Sequence, residues 1–165
     1  MGSGKSSIGK KLSKMMKFDF VDTDNLIEEN TGVDIPTIFE HEGETGFRER
    51  ESKILQEISD YQQTVVGTGG GIIISKKNRE IIKKMGFAVY LTASIKELVY
   101  RTEHDKNRPL INSDDAENKI RNIINDRKEY YENTSNMTIS TDNYDTVKIS
   151  KIIIKNYEKY KKNNS

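Results

Sequence analysis

The chain begins Met1-Gly2-Ser3-Gly4-Lys5-Ser6-Ser7 and runs straight into an amphipathic segment with Ile8, Leu12, Met15 and Met16 on one helical face. Gly-Lys-Ser at a helix start is the second half of the GxxxxGK[ST] loop. Its backbone N–H groups and the helix N-terminus surround the phosphates of a nucleotide. Lys5 supplies a charge for those phosphates, and Ser6 a hydroxyl able to ligate Mg²⁺. Such a loop normally joins the end of a β-strand to a helix. The first glycine of the pattern would fall two residues before Met1, so the chain is expected to lack its true beginning. It is then either a truncation or a chain whose start is an internal methionine.

Strand and helix patterns alternate downstream. Phe18–Val21 reads as a strand ending at Asp22-Thr23-Asp24, followed by a helix from about Asn25 to Asn30. Asp34 caps a short helix broken by Gly43 and Gly46, and a longer helix runs from about Phe47 to Ser59. Thr64-Val65-Val66 is a strand leading into Gly69-Gly70-Gly71, and Ser75 caps a helix that stops near Gly86. Phe87–Leu91 is a continuous apolar strand of the kind buried on both faces. Ser94 and Glu97 form a capping-box pattern, and a polar stretch from Thr102 to Asp115 then interrupts the alternation. That stretch is too long for an ordinary connection and suggests a lid. A helix from about Asp115 to Glu132, a strand Met137–Ser140 and a helix beginning near Asp145 complete the chain. This order predicts an α/β fold, a parallel sheet with helices on both faces.

The 165 residues suit one domain, and the near-balanced charge (net +1) gives no field to attract nucleic acid or a membrane surface. No cysteine is present, which excludes disulfides, thiolate zinc sites and cysteine nucleophiles. Apolar runs such as Ile72–Ile74 are too short to span a bilayer, and Lys5, Lys10 and Lys11 interrupt any leader-like stretch. A soluble, cytoplasmic protein is expected. His41 and His104 lack matching ligands nearby, so neither is assigned a metal.

Strand C-termini line the ligand crevice of an open parallel sheet, the edge that the phosphate loop also occupies. Asp22 and Asp24 sit there, one able to hold Mg²⁺ through water and the other to take a hydroxyl proton. The plainer alternative for them is a helix cap and a solvated acid. Arg48, beside Phe47, carries a planar guanidinium that grips a carboxylate at two points. Gly69, Gly70 and Gly71 suggest a ligand close to the main chain. Arg101 and Arg108 bracket the polar stretch, where arginines close over a transferring phosphoryl group.

In order, Gly-Ser-Gly-Lys-Ser-Ser, Asp-Thr-Asp, Phe-Arg, Gly-Gly-Gly and Arg-Pro-Leu resemble the shikimate kinase family over Met1 to about Asp142. The resemblance implies a three-layer P-loop fold of strand order 2-3-1-4-5, with the first strand absent from this chain. It implies ATP, Mg²⁺ and shikimate as ligands, the γ-phosphoryl passing to the 3-hydroxyl in aromatic amino acid biosynthesis. By that resemblance Gly2, Ser3, Gly4, Lys5, Ser6, Ser7, Arg101 and Arg108 bind ATP, and Ser6 and Asp22 hold Mg²⁺. Asp24, Arg48, Gly69, Gly70, Gly71 and Arg127 take shikimate, and Lys5, Asp24 and Arg108 are catalytic. Residues 24–59 form the acceptor region and 102–115 the lid of one domain over 1–165, expected to be a monomer. Glu129-Tyr130 stands where the family usually has Pro-Leu. The rival readings are a related P-loop kinase for gluconate or a nucleotide, and a truncated binding remnant without turnover.

Overall fold

Side-chain oxygens that accept first-turn N–H groups set most of the helix starts. The computed structural model describes residues 2–103, 116–143 and 145–164. Helix α1 (Lys5–Met16) follows Gly4, which takes the left-handed conformation at φ 82°. Strand β1 (Asp19–Asp22) runs directly into α2 (Thr23–Thr31). That helix starts two residues earlier than the spacing predicts, because the Asp22 carboxylate itself accepts the amide of Asp24 at 3.1 Å. Helix α3 (Ile35–Glu57) is capped by Asp34 and kinked at Gly43, φ 68°. The sequence predicts two helices here. Two helical segments form, meeting at a break where Gly43 leaves helical geometry; Gly46, the other expected breaker, stays helical, and Arg50 forks onto Glu42 at 2.8 and 2.6 Å across the break.

Strand β2 (Thr64–Gly67) leads through the glycines to a 3₁₀ turn at Ile72–Ile74 that periodicity does not reveal. Helix α4 (Lys76–Met85) starts at the predicted Ser75 cap, and β3 (Val89–Thr92) follows. Strand β3 starts two residues later than predicted, and Ala88 just before it already meets the β4 side, its carbonyl accepting the Asn136 amide and its N–H donating to Asn136 Oδ1, both at 2.8 Å. It is half-buried along its length, where burial on both faces was expected. Helix α5 (Ile95–Glu103) has half of its capping box: Ser94 Oγ accepts the amide of Glu97 at 3.3 Å. The Ser94 N–H goes to the Asp142 carboxylate, and Glu97 pairs with Arg101. Thr102, the first residue of the expected lid, is buried in this helix, its hydroxyl donating to the Leu98 carbonyl at 2.7 Å. Residues 104–115, with Arg108 and His104, lie outside the described residues. Helix α6 (Ala116–Thr134), β4 (Met137–Ser140) and α7 (Thr146–Asn163) close the chain, the last capped by Asp145.

The strands form two parallel pairs. Asp19 to Asp22 of β1 lie opposite Thr64 to Gly67 of β2, and Val89 to Thr92 of β3 opposite Met137 to Ser140 of β4. Among the described residues no strand joins β2 to β3, so the expected single sheet appears as two pairs, in the order that the resemblance implies. Both pairs share one cover: Ile8 and Leu12 of α1 and Ile149 and Ile153 of α7 pack on Val65, Val89, Leu91 and Ile139. Val66, pointing the opposite way, joins Val21 against Ile27, Ile38, Phe47 and Ile54 of α2 and α3. A third cluster of Leu98 and Ile120 ties α5 to α6. The Phe20 ring of β1 fills the space of a side chain at Gly9 of α1, and lies 3.4 Å from the Cβ position of Gly67. These layers bring the C-terminal ends of β1 and β2 beside the N-terminus of α1.

Successive peptide groups of a strand point to alternate sides, so half of those on β2 and β3 face away from their partner strand. Hydrogen exchange should therefore alternate along Thr64–Gly67 and Val89–Thr92, fast amides interleaved with protected ones. Uniform protection along both strands would show that the outer edges are paired.

Candidate active site

The phosphate loop depends on glycine at two places. Gly2 and Gly4 both have positive φ (65° and 82°), and a side chain on Gly2 would sit 3.4 Å from the Leu98 carbonyl. The turn aims the N-terminus of α1 at the strand edge, with Lys5 half-buried and Ser6 and Ser7 exposed at its start. Ser6 Oγ donates to Asp22 Oδ2 at 3.0 Å, while Asp22 Oδ1 caps α2. Asp22 thus caps a helix, as the plainer reading has it, and with its other oxygen meets the phosphate-loop serine.

Beyond Asp22 the acceptor side is built around the three glycines. Thr23, fully buried, accepts the amide of Gly69 through its Oγ1 at 3.2 Å and so ties the loop to β1. A Cβ on Gly69 would lie 2.7 Å from Asp24 Oδ1 and 2.8 Å from Glu51 Oε1. A Cβ on Gly71 would collide with the Arg48 guanidinium. Gly70 offers its carbonyl to the Tyr131 hydroxyl at 2.7 Å. Two of the three glycines are therefore needed because side chains of the site occupy the space beside them.

Arg48 projects from α3, its cation over the Phe47 ring at 5.3 Å. One edge of the guanidinium binds Glu44 at 3.0 and 3.2 Å, and Nη1 pairs with Glu51. Glu51 is 1% exposed, and its Oε1 has no hydrogen-bond donor among the described residues. Burial pushes its carboxyl above the usual range. Arg48 opposes that shift by hydrogen bond and charge, Asp24 adds to it, and Arg127 acts with Arg48. Arg127, half-buried on α6, is near enough for its charge to reach Glu51 and Tyr131.

Arg101 lies at the other end of the site as a strap. It donates to the carbonyl of Gly2 at 3.1 Å, to Thr141 Oγ1 at 3.0 Å and to the Thr141 carbonyl at 3.1 Å. The turn after β4 is in this way fastened to the phosphate loop. Of the residues singled out from sequence, Gly2 to Ser7, Asp22, Asp24, Arg48, Gly69 to Gly71, Arg101 and Arg127 fall on this one edge, and Arg108 lies outside the described residues. Sequence reasoning missed Thr23, Glu51 and Tyr131. Two had a usable signal: Glu51 stands three residues after Arg48, and Tyr131 four after Arg127, each on the same helix face. The arrangement offers anion-binding groups at both ends and carboxylate acceptors between them. It suits transfer of a phosphoryl group to a hydroxylated acid.

Comparison with known proteins agrees. The family model described as shikimate kinase matches residues 1–158. A Vibrio cholerae protein named shikimate kinase is 38% identical over 160 residues, covering 97% of this chain and 92% of its own. One from Actinobacillus pleuropneumoniae is 40% identical over 142 residues, covering 86% and 82%. Among solved structures, shikimate kinase from Acinetobacter baumannii in complex with shikimate has a TM-score of 0.89 at 38% identity, covering 94% of this chain and 87% of that one. Shikimate kinase from Bacteroides thetaiotaomicron has a TM-score of 0.88 at 26% identity, covering 96% and 94%. With a family model spanning nearly its whole length and relatives matched almost end to end, the chain belongs to the shikimate kinase family.

Proposed function

We propose that this protein transfers the γ-phosphoryl group of ATP to the 3-hydroxyl of shikimate, giving 3-phosphoshikimate for aromatic amino acid biosynthesis. The observation that carries the reading is the meeting, at one strand edge, of Ser6–Asp22 with Asp24, Arg48, Glu51 and Arg127. Lys5 and the N-terminus of α1 take the nucleotide phosphates, with Arg108 as the lid cation and Arg101 holding the nucleotide end. Arg48 and Arg127 take the carboxylate of shikimate. Asp24 accepts the proton of the 3-hydroxyl as its oxygen bonds to the γ-phosphorus and the bond to the bridging oxygen of ADP breaks. The Ser6 hydroxyl and the Asp22 carboxylate converge within 3.0 Å, hard oxygens of the kind Mg²⁺ accepts while keeping waters and phosphates. Mg²⁺ held there would neutralise charge on the phosphates. One domain over 1–165 acting as a cytoplasmic monomer completes the reading. No described helix is long and apolar enough to cross a membrane.

Release of ADP in the presence of shikimate, and not of gluconate or a nucleoside monophosphate, is the expected outcome of a coupled assay. Stimulation by gluconate alone would reject the assignment. Arg48→Lys keeps a cation beside Glu51 but loses the planar fork. It should raise KM for shikimate about 10-fold, equivalent to ~1.4 kcal/mol, with KM for ATP unmoved.

Glu51 gives a pH prediction. Its folded-state pKa is raised, chiefly by burial, so folding favours the protonated form. Its contribution to stability is then full below a glutamate's ordinary pKa and is lost as pH rises through the raised value. Glu51→Gln cannot titrate. The stability of the native protein relative to this variant should fall with rising pH across that window in urea unfolding. A pH-independent difference would contradict it.

A further inference from the structure

The Tyr131 hydroxyl has no part in the chemistry above, yet its geometry is tightly set. It donates to the Gly70 carbonyl at 2.7 Å, and its ring stacks on Tyr90 of β3 with centroids 4.5 Å apart and planes 14° from parallel. A ring held from behind in this way has little torsional freedom, so the oxygen is a fixed point rather than an opportunistic donor. Arg127 precedes it by one turn on the same face of α6. Burial raises the phenol's pKa, and Arg127 opposes that shift by charge and hydrogen bond, which puts the two side chains within reach of each other.

Gly70 is the middle of the glycine loop. Its carbonyl and the N–H of Gly71 share one trans peptide and point in opposite directions. Anchoring the carbonyl therefore also fixes the Gly71 amide, at the residue whose missing side chain leaves room for Arg48. On the far side, the space a side chain of Gly69 would need is taken by the carboxylates of Asp24 and Glu51.

We propose that Tyr131 is a positioning residue for the acceptor. Through Gly70 it locks the glycine loop to α6, so that Arg48 on α3 and Arg127 on α6 keep the separation one carboxylate requires. The inference rests on the acceptor assignment above and deepens it by naming what holds the two cations in register.

Steady-state kinetics of Tyr131→Phe test it, since that change removes one oxygen and keeps the ring stack. KM for shikimate should rise about 5- to 10-fold, the loss of one hydrogen bond, with KM for ATP within about twofold. Tyr130→Phe, an exposed neighbour losing the same atom, should change neither. Gly70→Ala supplies a second arm, because its Cβ would lie 3.3 Å from the Tyr131 hydroxyl oxygen. Removing that oxygen should relieve part of the alanine's effect, so the double variant should bind shikimate better than the product of the single losses. A Tyr131→Phe protein that is indifferent, that unfolds, or that weakens both substrates in step overturns the proposal, as do independent effects in the double variant. A native protein that leaves shikimate unphosphorylated overturns the acceptor assignment and this inference together. An active native protein with an indifferent Tyr131→Phe overturns this inference alone.

Discussion

A carboxylate as deeply buried as Glu51 needs a cation in contact, and Arg48 is that cation. The pair in turn needs space, which Gly69 and Gly71 provide by having no side chains. From this follows much of the acceptor side. The loop after β2 must be glycine-rich, α3 must continue past its kink to carry both partners, and Thr23 must hold the loop amide against β1. A buried ion pair is a poor source of stability, because desolvation consumes most of its Coulombic gain. Its use here is geometric: Glu44 and Glu51 fix the orientation of the guanidinium.

The phosphate loop, the Asp-Thr-Asp strand end and the Arg48 helix were legible from the sequence because each has a short local cause. Asp22 could be read only as an alternative, cap or metal ligand. The fold gives it two oxygens used separately, one towards the Asp24 amide and one towards Ser6. The glycines were read as space for a ligand beside the main chain. At Gly69 and Gly71 the nearest occupants are Asp24, Glu51 and Arg48, information that exists only once α2 and α3 have packed on the loop. Glu51 was hidden for a related reason. In an Arg–Glu-rich helix, sequence alone does not say which acid faces inward, and Glu49 is exposed where Glu51 is not.

The alternation of strands and helices was equally legible, down to most capping residues. What local pattern did not supply was how neighbouring chain segments share hydrogen bonds. Asn136 takes both backbone groups of Ala88 just before β3, and Asp142 takes the Ser94 amide that a capping-box glutamate would have taken. Both partners lie 48 residues away along the chain. Pairing of β1 with β2 and of β3 with β4 leaves α1 and α7 as the common cover that holds the two halves together.

One aromatic ring spaces the phosphate-loop helix from the strand edge. Phe20 is wedged between Gly9 on the helix behind the phosphate loop and Gly67 at the tip of β2, and works as a shim whose thickness is that of a phenyl group. Were the helix to ride higher on a bulkier residue at position 9, Ser6 would be lifted off Asp22. The seating of the phosphate-loop helix on the strand edge is thus gauged by a single ring between two glycines.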